Sequence, residues 1–162
     1  FSGQNIDRLH RTAPIAEAHL FTDQPRASRP FSQYRDINGG YSIQNNETRL
    51  HDTESDYVEV FFYLVSDPIQ GADLFVGGAL NDWQYNERNK MDYDTNDNMY
   101  KKNILLKQGW YDYMYVVHGI NNPWFVEGSY FETSNTYEVI VYYTHPQTRS
   151  DIIIGYTTLQ SP

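Results

Sequence analysis

The sequence predicts an all-β protein, an antiparallel β-sandwich of the immunoglobulin-like kind with about seven or eight strands. Three observations predict it. Short aliphatic and aromatic runs alternate with period two, clusters of Asn, Asp, Gly and Pro separate them, and no segment carries the 3.6-residue apolar period of a helix. With 162 residues and no cysteine, the chain is long enough to bury a core without disulfide or metal staples, and no cofactor is expected.

In chain order, residues 1–50 read as an N-terminal arm that lends one strand to a sandwich formed by 51–162. The first fifteen residues lack apolar periodicity. Ala16 to Asp23 is expected as the contributed strand, stopped by Gln24-Pro25 and by Pro30, because proline brings no ladder donor. Residues 24–40 form a polar connection that closes with Asp36-Ile37-Asn38-Gly39-Gly40, residues that tolerate positive φ, and Tyr41 to Gln44 is a short strand. Tyr57 to Val65 has the clearest pattern. Val58, Val60, Phe62 and Leu64 share one face and should be core.

Asp67-Pro68 to Gly71 turns the chain into a strand from Leu74, where Gly77-Gly78 signals a bulge or a close approach of another backbone. Met99 to Lys107 and Gly109 to Val117 follow as strands, with Tyr111, Tyr113, Tyr115 and Val117 on a common face. Trp124 to Thr133 reads as an irregular or edge segment. Thr136 to Thr144 alternates cleanly, and Asp151 to Leu159 is the final strand.

The net charge of −9 repels nucleic acid and anionic surfaces, so neither is an expected partner. No run reaches the ~18 apolar residues of a membrane helix. Catalytic templates fail: His10, His19, His51, His118 and His145 form no HExxH pair, and no serine sits in a G-x-S-x-G elbow. Glu127 and Glu132 could be drawn as an acid–base couple, but in a turn-rich segment carboxylates more readily accept backbone N–H groups. No enzyme is expected.

Two candidate sites remain. Asp92, Asp94 and Asn96 have the D-x-D-x-N spacing of hard oxygen ligands in a calcium loop. The pattern then breaks, with Asp97 where the loop glycine belongs and Asn103 where a closing Glu belongs, so a hairpin loop of Asx-turns competes with it. Asn81, Asp82, Trp83, Trp110 and Trp124 are candidate ligand-binding residues, since an exposed indole beside polar groups stacks on the apolar face of a sugar ring. Packing as a core lid is the competing role for each Trp. Tyr113 and Tyr142 could extend an aromatic docking patch.

Gly78-Ala79-Leu80-Asn81-Asp82-Trp83 and Gly109-Trp110-Tyr111-Asp112-Tyr113 resemble two elements of the early-set immunoglobulin-like sandwiches, which include glycogen- and starch-binding modules. Asn122-Pro123-Trp124 lies where such modules place a second sugar-stacking Trp. That resemblance implies a glycan surface on Trp83 and Trp124.

A longer ordered series covers residues 36–154. It comprises Asp36-Ile37-Asn38-Gly39-Gly40-Tyr41, Asp56-Tyr57-Val58, the Gly78–Trp83 block, Leu105-Leu106-Lys107-Gln108-Gly109, Glu127 to Tyr137, and Tyr142-Tyr143 with Arg149-Ser150-Asp151. It resembles the later half of a Bacteroidetes envelope family associated with the plug protein of the type IX secretion translocon. The resemblance implies a periplasmic interaction module at the outer membrane. Its partner would be the outer-membrane translocon or the earlier, N-terminal half of such a protein.

Overall fold

The computed structural model describes residues 5–11, 14–27, 29, 37–45, 55–120, 122, 124–130, 132–133 and 135–160. Pro30, Asp36, His51 and the expected boundary between residues 50 and 51 lie outside the described residues. The chain divides into two compact units, Phe1–Ser129 and Tyr130–Pro162. Strands dominate both.

The first unit is built on β4, Tyr57–Val65, whose burial alternates as its sequence does: Val58, Val60, Phe62 and Leu64 are buried. β7, Met99–Lys107, pairs with it antiparallel over nine residues, from Tyr57 opposite Lys107 to Val65 opposite Met99. β6, Asp92–Asp94, extends the sheet beyond β7. On the other side lie β2, Ala16–Leu20, and then β1, Ile6–His10, giving the order β1-β2-β4-β7-β6.

β2 runs parallel to β4, the one parallel strand pair among the described ladders. Parallel neighbours require a long crossover, and the connection from Leu20 to Tyr57 provides one. β1 escapes sequence reading because it is an outer strand with four of its five residues exposed, and such a strand has no buried face to impose alternation.

Against this sheet packs a second layer. β5, Asp73–Gly77, pairs antiparallel with β9, Met114–His118. Leu74 and Val76 of β5 and Tyr115 and Val117 of β9 join Ala18, Leu20, Phe62, Leu64, Met91 and Val126 in a single buried cluster. Two layers around one core make a sandwich, as the alternation predicts. Phe75 points away from that core and is covered by the rings of Tyr85 and His118, 5.6 and 5.4 Å between centroids.

The predicted Gly109–Val117 strand is two strands. β8, Gly109–Tyr111, pairs with β3, Tyr41–Ile43, whereas β9 belongs to the β5 ladder. The break falls at Asp112-Tyr113 because Asp112 is engaged by another turn: its N–H donates to Gly40 O and its carboxylate accepts from the same loop. Gln108 marks the other change of partner, donating to Asp56 O while its carbonyl accepts from Gln44 N.

The second unit is a hairpin of β10, Thr136–Thr144, and β11, Asp151–Gln160, closed by a turn in which Arg149 N donates to His145 O. The ladder shifts after Val141, where Ile154 is the extra residue on β11.

Gly109 shows why the β3–β8 pair forms. A β-carbon there would stand 2.5 Å from Ser42 O and 3.0 Å from Ile43 Cα, so the two backbones meet only because the side chain is absent. Gly109→Ala is expected to cost about 1–3 kcal/mol through overpacking against backbone. Urea unfolding should show it as a lower midpoint at unchanged slope.

Candidate functional site

The Gly78–Trp83 block is a rigid loop held by two asparagines. After a 3-10 turn at Ala79–Asn81, Asn81 Nδ2 donates to Val76 O and Gln84 O, both at 3.0 Å. Asn89 Nδ2, from the far side of the loop, donates to the same two carbonyls at 2.8 and 3.0 Å. Asn81 thus spends its amide donors on the backbone. Its role is to hold the loop, which corrects its expected place among ligand-binding residues.

The loop presents its next two residues in an uncommon conformation. Asp82 and Trp83 have φ of 53° and 56°, the left-handed region where a bulky residue is a true outlier. Such strain persists only where neighbours over-determine it, and it concentrates at functional turns. The Trp83 indole lies against Gly39, where a β-carbon would come within 2.5 Å of Cζ2, and 45% of Trp83 remains exposed.

Asp112 builds the facing turn. Its Oδ2 accepts the N–H groups of Ile37 (2.5 Å) and Gly39 (3.2 Å), and its Oδ1 accepts Trp110 Nε1 at 3.3 Å. Asn38 and Gly39 take positive φ, as the Asn-Gly pair predicts. The 37–40 turn therefore carries the Trp83 indole on Gly39 and is linked through Asp112 to Trp110, which is 38% exposed with its indole N–H already engaged.

Beside them lies an open groove of ≈ 390 Å³ lined by Tyr41, Ile43, Leu80, Asp82, Leu105, Lys107 and Tyr111 among others. The Tyr41 and Tyr111 rings stack with centroids 5.5 Å apart and planes 18° from parallel. Tyr111 donates its hydroxyl to Lys107 O at 2.8 Å, and burial pushes its pKa up to about 12, with Tyr41 and Tyr57 adding to the shift. The groove joins β3, β7, β8 and the 3-10 turn. Asp82 is the only one of the expected ligand residues on its wall.

Trp124 belongs elsewhere. It opens a turn closed by Gly128 N donating to Trp124 O, and that turn is clamped by Val126 O, which accepts from Arg26 N and Ala27 N. Trp124 is 52% exposed. Trp83 and Trp124 are thus carried by separate turns with separate supports.

Next to Trp124 is a half-buried polar cluster that sequence reading misses. Asp23 Oδ2 accepts the hydroxyls of Tyr113 and Tyr115, both at 2.8 Å, and Arg26 lies 4.0 Å from Asp23 and 3.7 Å from Glu127. Glu127 Oε1 accepts Tyr115 N at 2.7 Å. Burial raises the Glu127 pKa, against the pull of Arg26 and of that N–H. Burial also raises both tyrosines, helped by Asp23, so they stay protonated donors. For Arg26, burial works downward, but Glu127 and then Asp23 outweigh it and the pKa rises. Tyr113 faces inward, its ring edge-on to Phe62 at 5.0 Å, and is no part of an outward patch. Tyr142 is exposed, on the hairpin.

Glu127 accepts a backbone N–H, as its turn context suggests, and Glu132 is exposed in the second unit. The acidic stretch is likewise an Asx-turn. Asp94 Oδ1 accepts Asn96 N at 2.9 Å, and Lys101 Nζ sits 2.7 Å from Asp94 Oδ2 and in contact with Asp97 Oδ2. Bonding to Lys101, and then to the Asn96 N–H, lowers the Asp94 pKa. Lys101 thus already neutralises Asp94, one of the three expected calcium ligands, and Asp92 lies on strand β6. Among the described residues no group of three or more His, Asp or Glu converges on a metal position.

Fold and site together define an all-β sandwich that presents aromatic groups on rigid, strained turns. No protein family and no curated protein matches the sequence. The structure is similar to the crystal structure of a hypothetical protein from Parabacteroides merdae ATCC 43184, with a TM-score of 0.91 and 30% sequence identity. The match covers 99% of this chain and 42% of that one, so the chain spans less than half the length of that protein.

Because the fold raises the Glu127 pKa, it binds that proton more tightly than the unfolded chain does. Its contribution to stability is largest below about pH 4.5 and is lost as the pH rises towards the folded value. Glu127→Gln keeps the oxygen that accepts Tyr115 N–H and removes the titration. The stability of the native chain minus that of the variant should fall as the pH rises above about 4.5, measured by urea unfolding at each pH.

Proposed function

We propose that the chain is a non-enzymatic interaction module of the cell envelope, working like the C-terminal domain of a type IX secretion plug protein and docking on an outer-membrane translocon. One observation carries the docking part. The β10–β11 hairpin is apolar on both faces: Tyr137, Val139, Val141, Tyr143 and Ile152 line one, Ile140, Tyr142, Ile153 and Tyr156 the other. Its large apolar side chains are 41–64% exposed. Strands that are apolar on both faces normally belong to sheets covered on both sides.

The periplasmic location follows the plug-family resemblance. The polar groups gathered around Asp23 serve support rather than chemistry in this reading, since each is held by a neighbour.

A second reading, a carbohydrate-binding module, is favoured by the Tyr41–Tyr111 groove beside Asp82 and Trp83. Stacked tyrosines give a flat apolar platform, and the carboxylate at its rim can accept sugar hydroxyls.

Purified translocon should retain the full-length protein on beads, and the double change Tyr143→Asp with Ile152→Asp should abolish retention. Unchanged retention removes the hairpin from the docking surface. For the second reading, titration with maltooligosaccharides should quench tryptophan emission in the native chain and not in Trp83→Ala or Tyr41→Ala. A flat titration of the native chain discards it.

A further inference from the structure

We propose that β10 is the seam of a twofold dimer, in which Thr136–Thr144 of two copies join edge to edge, antiparallel, about Ile140. This goes beyond the docking reading and rests on no part of it, since that reading uses the faces of the hairpin and this one its edge.

A two-stranded sheet is marginal in water, and each outer edge offers a row of unpaired N–H and C=O groups to another strand. Natural edges are blunted by shortness, lysine, proline or a bulge. β11 has such a bulge at Ile154. β10 is nine residues long and regular, without lysine, proline or bulge, and Glu138 is the one charge that guards it.

The occupant is argued from the sequence of the strand. TYEVIVYYT is nearly a palindrome about Ile140. In an antiparallel pair related by a twofold axis, Thr136 faces Thr144, Tyr137 faces Tyr143 and Val139 faces Val141 of the second copy, while Ile140 faces its own equivalent. Every such pair is of like kind, and aromatic and β-branched pairs are the favourable ones across strands. A self-complementary edge is what an isologous contact requires.

The one mismatch is informative. Glu138, the only charged residue of the strand, faces Tyr142 of the second copy and not another carboxylate. A chain of net charge −9 therefore meets no like-charge opposition along this seam.

The same pair gives the test, by sedimentation velocity of the full chain over a concentration series. A reversible dimer is expected. Tyr142→Lys sets an ammonium opposite Glu138 at two equivalent places and should tighten the dimer about fivefold, whereas Tyr142→Glu should weaken it by about as much. Thr95→Lys, a matching charge change in an exposed turn of the first unit, should leave it unchanged, and far-UV circular dichroism checks that each variant keeps its strands. A chain monomeric to about 1 mM overturns the proposal, whether or not the translocon retains it. So does a dimer that responds alike to the Lys and Glu variants.

Discussion

The Asp23 carboxylate is the point on which both layers of the first unit depend. The Asp23 backbone pairs with β4, Asp23 N to Tyr63 O and Val65 N to Asp23 O, each 2.9 Å, while its Oδ2 accepts hydrogen bonds from the hydroxyls of Tyr113 and Tyr115. One residue thus belongs to one sheet by its main chain and to the other by its side chain. A half-buried carboxylate loses part of its hydration and needs its lone pairs met, and here two hydroxyls and a nearby guanidinium meet them. Removing either tyrosine hydroxyl weakens a link between layers as well as a hydrogen bond. The aromatic platform and the Trp124 turn both inherit their positions from this junction, because β9 continues from the one and supports the other through Tyr115 N.

How much of this was legible in the sequence varied with how local each cause was. β4 and β10 could be read to the residue, because period-two alternation is a property of adjacent positions. The run from Gly109 to Val117 alternates just as well, yet Asp112 interrupts it by bonding a turn more than seventy residues away. The Asn81-Asp82-Trp83 block was visible as a motif, but its division of labour was not: the asparagine supports and the two residues after it are displayed.

The groove was missed for the same reason. Tyr41, Asp82, Leu105 and Tyr111 are scattered over seventy positions and meet only after β7 gives way to β8. The one clue in the sequence was a pair of glycine-led aromatic segments, Gly39-Gly40-Tyr41 and Gly109-Trp110-Tyr111, which the structure lays side by side. The Asp92–Asn96 spacing left an Asx-turn and a calcium loop open, and it could not foretell that Lys101, seven residues beyond Asp94, would fold back onto that carboxylate. Charge spacing along a chain describes ligands only when no neighbouring side chain neutralises them first.

Gln108 has a wider consequence. It is the hinge pin between two ladders, giving its N–H to the start of β4 and taking an N–H from the end of β3. If β3 peels away, the Gln44 amide becomes open to solvent exchange, but the Gln108 amide stays anchored at Asp56. The two amides should then exchange deuterium on different clocks, the first at the rate of a local opening and the second nearer that of global unfolding. That difference would report, in solution, whether the aromatic platform opens as a flap or moves with the body of the sandwich.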